Sequence, residues 1–157
     1  MARADVTLGP LDAPSADALA AWTPGVAAAA GLRSLGSAEA VRGLVAASAY
    51  RVWRIDVSGE ESPAGLIMAR GPEGGEARIV FVALRPDLCR RGLGHGAALE
   101  AERRLVAAGA RRVLAAVSAR HGLSVYFWLR LGYRPLLSSA WPPCEHPDVG
   151  WMARDVA

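Results

Sequence analysis

The apolar positions along the chain follow two spacings, and each spacing predicts a different kind of element. Alternation of apolar and polar residues is typical of strands, whereas apolar residues at every third or fourth position are typical of amphipathic helices. The first pattern predicts strands over Val6–Leu11, Tyr50–Val57, Ala64–Ala69, Ala77–Leu84, Arg112–Val117, Tyr133–Ser138 and Val149–Val156, and the second predicts helices over Pro14–Trp22, Ser37–Ala47, Leu93–Ala108 and Leu123–Leu131.

The segments between the middle strands predict how those strands pair. Residues 58–63 and 71–75 are short and rich in Gly, Pro, Ser and Glu, a composition typical of tight turns between antiparallel strands. We therefore expect an α/β fold with a mixed, mostly antiparallel central sheet flanked by helices. No repeat, long linker or low-complexity segment divides the chain, so a single domain over residues 1–157 is expected.

Local signals fix several helix ends. Ser37 is a candidate N-cap, and Gly109 and Gly132 are candidate helix stops. Glu100 and Arg104 stand four residues apart, the spacing of a helical ion pair. The helix beginning at Leu93 carries mostly small apolar residues on one face, which predicts close packing against the sheet.

Composition excludes several classes of function. All 18 basic residues are arginine and the formal net charge is +3, but the arginines form no basic stripe, so nucleic-acid binding is not expected. Cys89 and Cys144 lie far apart and lack metal-ligand spacing, which argues against a disulfide framework and a metal site. This cysteine usage favours a reducing cytoplasm. Residues 1–10 carry acid, base and proline but no apolar h-region, and the alanine-rich stretch 18–30 is broken by Pro24 and Gly25, so we expect no export signal and no membrane span.

A glycine-rich segment follows the predicted strand that ends at Leu84. Gly92 and Gly94 open the next helix beside Arg90 and Arg91, and backbone amides at a helix start bind anions. The segment predicts a phosphorylated ligand. Gly92, Gly94 and Ala97 also fit the dinucleotide fingerprint, but the acidic residue expected about 20 positions later is absent. A Walker loop is excluded because the chain has no lysine.

The same segment resembles the central motif of the GNAT superfamily of acetyl-CoA-dependent N-acetyltransferases. Leu84, Pro86, Cys89, Gly92 and Gly94 occupy the slots of Val-x-Pro-x-x-Arg/Gln-x-x-Gly-x-Gly/Ala. Residues 127–133, Phe-Trp-Leu-Arg-Leu-Gly-Tyr, resemble the family's Phe-Tyr-x-x-x-Gly-Phe signature. Together the similar segments cover roughly residues 77–135.

The resemblance implies acetyl-CoA as co-substrate and a slot where the strand ending at Leu84 splays from the strand Val113–Val117. Backbone amides from Cys89 to His95 would then hold the CoA pyrophosphate. The residues implied in CoA binding are Val82, Ala83, Leu84, Cys89, Arg90, Arg91, Gly92, Leu93, Gly94, His95, His121 and Trp128.

Proton transfer is the least determined part of the expected chemistry. Amine acetylation needs a neutral amine and a proton for the departing thiolate, yet Trp128 stands where many members have a tyrosine acid. The catalytic candidates are Glu76, His121 and Tyr126. The alternative for Glu76 is a solvated acid at the strand edge, and the alternatives for His121 are contact with the CoA arm or a place on a surface loop. The alternatives for Tyr126 are packing in the core or a place in the acceptor wall.

The acceptor site in this family is commonly formed by early helices and by the loop before the last strand, here residues 21–36 and 139–148. Trp22 and Trp141 are candidate apolar walls, and Glu145 and Asp148 candidate partners of a cationic amine; alternatively, the loop is rigid and its acids are solvated. The resemblance implies acetyl transfer to a small-molecule amine or peptide by direct attack in a ternary complex, with a CoA-binding module lacking transferase activity as the alternative. Family members are often homodimers, a state that the sequence leaves open.

Overall fold

A computed structural model of the chain describes residues 5–30, 32–46, 49–118, 122–143 and 149–156. Seven strands form one sheet in the order β1-β2-β3-β4-β5-β7-β6. Every neighbouring pair is antiparallel except β4 and β5, which are parallel. The expected mixed, mostly antiparallel sheet is therefore confirmed. The elements are β1 Val6–Pro10, α1 Ala13–Ala20, α2 Thr23–Ala29, α3 Ala38–Gly43, β2 Arg51–Val57, β3 Gly65–Glu73, β4 Glu76–Leu84, α4 Leu93–Ala107, β5 Arg112–Ser118, α5 Gly122–Arg130, β6 Arg134–Pro135 and β7 Val149–Asp155.

Two layers of helices cover the two faces of the sheet. Helices α4 and α5 pack on one face, over a cluster that includes Ile67, Ile79 and Val113. Helices α1 to α3 pack on the other face of β3 and β4, around a cluster that includes Leu66 and Phe81. None of the helices in the described part of the chain is long and apolar enough to cross a membrane.

Helix ends follow the predicted signals with one exception. The Ser37 side chain accepts from the Ala40 amide at 3.1 Å, and Gly109 and Gly132 take positive φ angles of 110° and 93°. Helix α1 instead begins after Asp12, whose carboxylate accepts from the Ser15 amide, so the helix starts one residue before the predicted Pro14. The Asp12 carboxylate has a lowered pKa because the Ser15 hydrogen bonds stabilise its charge.

Two expected elements differ from the structure. The predicted strand Tyr133–Ser138 is reduced to β6, Arg134–Pro135, because Pro135 has no amide to extend a ladder and a 3₁₀ turn begins at Ser138. Helix α2 was not predicted from the apolar spacing, although the family resemblance implied an early helix within residues 21–36. Its Pro24 stands in the first turn, the one helical site where the missing amide costs nothing.

Candidate functional site

Strands β4 and β5 pair at one end and separate at the other. Their parallel register covers only residues 76–79 of β4 and 112–115 of β5, although β4 continues to Leu84 and β5 to Ser118. The separation coincides with a β-bulge, because Met68 of β3 faces Phe81 and Ala69 faces Ile79, which leaves Val80 as the extra residue. A bulge bends its strand and interrupts pairing. The expected splay of the two strands is therefore confirmed.

The bulge also changes which face of the sheet each β4 residue addresses. Ile79 packs in the cluster beneath α4 and α5. Phe81 and Ala83, which would share its face in a regular strand, pack in the cluster beneath α1 to α3. Val82 and Leu84 consequently lie on the α4 and α5 side. The apolar spacing of β4 did not predict this change of face.

The gap between the strands is the entrance to a cavity of about 880 Å³. It extends from the loop before α4, past the separated ends of β4 and β5, to the underside of α2. Its described lining comprises Val26, Ala30, Leu32, Val80, Phe81, Val82, Leu84, Cys89, Arg90, Gly92, Gly94, His95, Ala116, Ser118, Leu123, Ser124, Tyr126, Phe127, Trp128, Arg130 and Val149.

One end of the cavity presents a row of unpaired backbone amides. Arg90 and Gly92 adopt left-handed φ angles of 64° and 76°, and the first hydrogen bond of the helix runs from Gly96 N to Gly92 O at 3.3 Å. Within the described chain, no backbone or side-chain acceptor pairs with the amides from Arg90 to His95. Such amides at a helix start, beside arginine side chains, form an anion site.

Ion pairs brace the segment that connects β4 to this site. Arg85 contacts Asp87 through Nε (2.6 Å), Glu60 through Nη2 (2.7 Å) and the Ser62 hydroxyl through Nη1 (3.0 Å). The hydrogen bonds to Asp87 and then Glu60 raise the pKa of Arg85, and the Arg85 bond lowers the pKa of Asp87. Arg85 is thus committed to the loop and is not part of the cavity lining.

Most of the residues implied in CoA binding lie on the cavity. Val82, Leu84, Cys89, Arg90, Gly92, Gly94, His95 and Trp128 all line it. Three do not present side chains there: Ala83 and Leu93 are buried in the core, and Arg91 is exposed outside the lining.

Trp128 and Tyr126 contribute to the cavity wall in different ways. Trp128 is buried, and its ring packs edge-on against Phe127 (5.0 Å between centroids) and Tyr133 (4.8 Å). Tyr126 is 57% exposed and lies beneath the Arg130 guanidinium, 5.7 Å from its ring centroid. The core alternative for Tyr126 is therefore excluded, and its phenol is available at the cavity.

Three expectations need correction. Glu76 begins β4, about 13 Å along the strand from Val80, where it contacts Arg78 at 3.7 Å and does not line the cavity. It cannot act as the base there. Trp22 packs against the core beneath α1 to α3, and Trp141 donates Nε1–H to the Leu136 carbonyl at 2.9 Å; neither forms a cavity wall. His121, Glu145 and Asp148 lie outside the described residues.

Sequence reasoning missed several cavity residues. Phe127, Ser124 and Arg130 of α5 line it, as do Val26 and Ala30 of α2 with the following Leu32. Phe127 and Arg130 lie within the signature at residues 127–133 and Ser124 lies just before it, so the sequence did carry a signal for these three residues. Val26, Ala30 and Leu32 lie within residues 21–36, the range that the family resemblance implied for the acceptor site, but the apolar spacing singled out none of the three.

Comparison with known proteins agrees with this geometry. Residues 28–133 match the family model described as acetyltransferase (GNAT) family. Similar solved structures include an acetyltransferase from Thermus thermophilus (24% identity, TM-score 0.76, covering 99% of this chain and 100% of that one). Another is Arabidopsis thaliana NAA60 in complex with acetyl-CoA (14% identity, TM-score 0.72, covering 97% of this chain and 99% of that one). A third is PaiA N-acetyltransferase from Thermoplasma acidophilum in complex with coenzyme A (12% identity, TM-score 0.69, covering 97% of this chain and 99% of that one). No curated protein matches the sequence.

Proposed function

The chain belongs to the GNAT family of acetyltransferases and is an acyltransferase, and from that premise we propose that it moves an acetyl group from acetyl-CoA to a primary amine by direct attack in a ternary complex. The separation of β4 from β5 beyond Ile79 carries the proposal. It opens a cavity that joins an anion site at one end to an apolar space beneath α2 at the other. Such a passage can bring two substrates together.

The anion end suits a pyrophosphate. Six successive amides, from Arg90 to His95, have no partner in the described part of the chain, and Arg90 and His95 line the same end. An ideal Cβ on Gly92 would meet no atom within 4 Å, whereas one on Gly94 would lie 3.4 Å from Leu84 and Phe127. Gly94 therefore keeps the narrow part of the cavity open at the helix start.

The free edge of β4 suits an extended chain with amide groups. Arg85 donates its amide to Ala64 on the β3 side at 2.7 Å. Because successive residues of a strand address opposite edges, the peptide groups of Leu84 and Val82 face the edge that β5 has left. In this proposal they hold the pantetheine arm as a neighbouring strand would.

The chemistry itself needs little from side chains. When bound, acetyl-CoA supplies a thioester carbonyl at which the amine nitrogen forms a C–N bond while the C–S bond breaks. Holding amine and thioester in contact accounts for much of the acceleration, since effective molarities in such cases are very large. Trp128 forms the wall and is a hydrogen-bond donor without useful acidity. Tyr126 is the tyrosine among the described lining residues of the cavity, and it is our candidate for the acid that protonates the thiolate.

A CoA-binding module without transferase activity is the second candidate. The observation that favours it is Trp128, which fills the position of the usual tyrosine and is buried between Phe127 and Tyr133. Neither candidate requires the cavity to be built differently, so only turnover distinguishes them.

The test is release of free CoA thiol with a panel of primary amines, alongside calorimetric titration of acetyl-CoA. Binding with amine-dependent thiol release and an acetylated product supports the transferase. Binding without turnover on any amine supports the module, and no binding refutes both.

A matched pair of variants tests the placement of the anion site. Gly94→Trp is expected to raise the acetyl-CoA Kd at least 100-fold, because the indole must occupy the space between Leu84 and Phe127. Gly43→Trp is the control, since Gly43 lies on α3 and a Cβ there meets no atom within 4 Å. Circular dichroism checks that both variants fold. An unchanged Kd in folded Gly94→Trp would contradict the placement.

A further inference from the structure

The cavity has two chemically different ends. Its described lining residues with nitrogen-bearing side chains outside the Trp ring, Arg90, His95 and Arg130, belong to the loop before α4, to α4 itself and to α5. The end beneath α2, which we call the apolar lobe, is lined by Val26, Ala30, Leu32, Val80 and Phe81. Leu32 and Phe81 belong to the core cluster beneath α1 to α3, and Val26, Ala30 and Val80 pack against that cluster, on the opposite face of the sheet from α4 and α5.

The bulge in β4 builds one wall of the apolar lobe. In a regular strand, Val80 and Phe81 would point to opposite faces of the sheet. The extra residue places both in contact with the cluster beneath α1 to α3. Two successive apolar side chains therefore face α2 at the point where the two strands part.

Part of this apolar surface is not covered by the protein. Val26, Ala30 and Val80 pack against the core but remain partly exposed, and all three line the cavity. An apolar group that entered the lobe would remove this surface from water, which is favourable. A charged group would lose its hydration there without gaining a partner among the described residues of the lobe.

We propose that the apolar lobe receives the substituent of the acceptor, so that the preferred acceptor is a primary amine carrying an aliphatic or aromatic group beside the amine. This inference rests on the proposed transferase function and adds a substrate class to it. The lobe is continuous with the gap between β4 and β5, which places an amine attached to such a group at the strand separation.

The first test is an acceptor series in which the reacting α-amine is constant. The amides of glycine, alanine, norvaline, leucine and phenylalanine extend the apolar group stepwise, and the amides of aspartate and arginine add a charge. We expect kcat/KM to rise by on the order of tenfold per added methylene until the lobe is filled. The kcat/KM values of both charged amides are expected to be lower than that of alaninamide. A flat series, or faster turnover of a charged amide, would overturn the inference.

The second test fills the lobe. Val26→Trp is expected to lower kcat/KM for phenylalaninamide at least tenfold relative to glycinamide, while the acetyl-CoA Kd changes less than twofold. Val106→Trp is the matched control, because Val106 is an exposed valine on α4 and does not line the cavity. If Val26→Trp fails to fold, Ala30→Phe probes the same lobe from a partly exposed position.

The outcomes separate this inference from the function on which it rests. The inference is overturned if the protein acetylates amines without preferring apolar groups, or if both folded lobe variants keep the preference unchanged. Either result leaves the proposed transferase function standing. Transfer to no amine in the panel refutes the transferase and the inference together. A preference for apolar amines that the lobe variants reverse supports both.

Discussion

The buried hydroxyl of Tyr133 gives the most sharply defined test of the packing beneath the cavity. Tyr133 is 1% exposed and donates to Glu102 Oε2 at 2.8 Å. Glu102 is itself buried on α4 and is paired with Arg154 at 3.4 Å, while the Tyr133 ring packs edge-on against Trp128. Tyr133→Phe keeps the ring and removes only the donor.

The expected cost follows from this geometry. A hydrogen bond to a charged group contributes about 1.5–3 kcal/mol, and a carboxylate left buried with one partner fewer falls in the same range. We expect Tyr133→Phe to lower the free energy of unfolding by about 2 kcal/mol. At about 2–4 °C per kcal/mol for a chain of this size, Tm falls by roughly 4–8 °C.

Denaturant unfolding and calorimetry measure this loss. Tyr50→Phe is the matched control, since the Tyr50 hydroxyl donates to no described residue and its ring retains the Arg70 contact at 5.5 Å. Its expected change is below about 0.5 kcal/mol. Equal losses in the two variants would refute the assignment of a stabilising Tyr133–Glu102 bond.

The same hydroxyl predicts a pH dependence. Burial, together with the Glu102 hydrogen bond, raises the pKa of Tyr133. Because the pKa is higher in the folded state, the protonated Tyr133 hydroxyl contributes its full stabilisation below the unfolded-state pKa, near 10. This contribution is lost as the pH rises above that value. Between pH 9 and pH 11 the free energy of unfolding of the unsubstituted protein should fall by about 1.4 kcal/mol more than that of Tyr133→Phe. The chain has no lysine, so no lysine titration overlaps this range, and parallel pH profiles would contradict the prediction.

Three further variants test other parts of the structure. Gly65→Ala should cost about 2 kcal/mol or more in denaturant unfolding because a Cβ would overlap the Ala83 carbonyl oxygen; Gly25→Ala, in open space, is the control, and equal losses would contradict that contact. Trp128→Phe should lower stability by about 1–2 kcal/mol yet keep the shape of the kcat pH profile; loss of one limb of that profile would show an acid role for the indole. Arg85→Met should raise the acetyl-CoA Kd severalfold in calorimetry by releasing the loop before α4, and an unchanged Kd would show that its ion pairs do not shape the site.

The sequence predicted most of the sheet and the helix that carries the anion site. Alternation located the strands to within a few residues, and Gly109 and Gly132 marked real helix ends because only glycine adopts their positive φ at no cost. Gly92 and Gly94 predicted the open helix start, whereas the splay of β4 from β5 was expected only from the family resemblance that this motif carries.

Features set by tertiary context were not predictable in this way. The bulge at Val80 is hidden because Ile79 and Phe81 are both buried apolar residues, although they belong to clusters on opposite faces of the sheet. Tyr126 and Trp128 illustrate the same limit within α5. Helical geometry separates them by about 200°, yet both line one cavity.

In the proposed function, the gap between β4 and β5 and the amides from Arg90 to His95 bind acetyl-CoA. Thermal unfolding with acetyl-CoA, CoA or NADH, each at about 100 times a plausible Kd, tests it most directly. Specific binding adds about 2.7 kcal/mol, or roughly 5–10 °C in Tm. We expect this rise with acetyl-CoA and CoA and none with NADH. No rise with acetyl-CoA or CoA, or a rise with NADH alone, would contradict it.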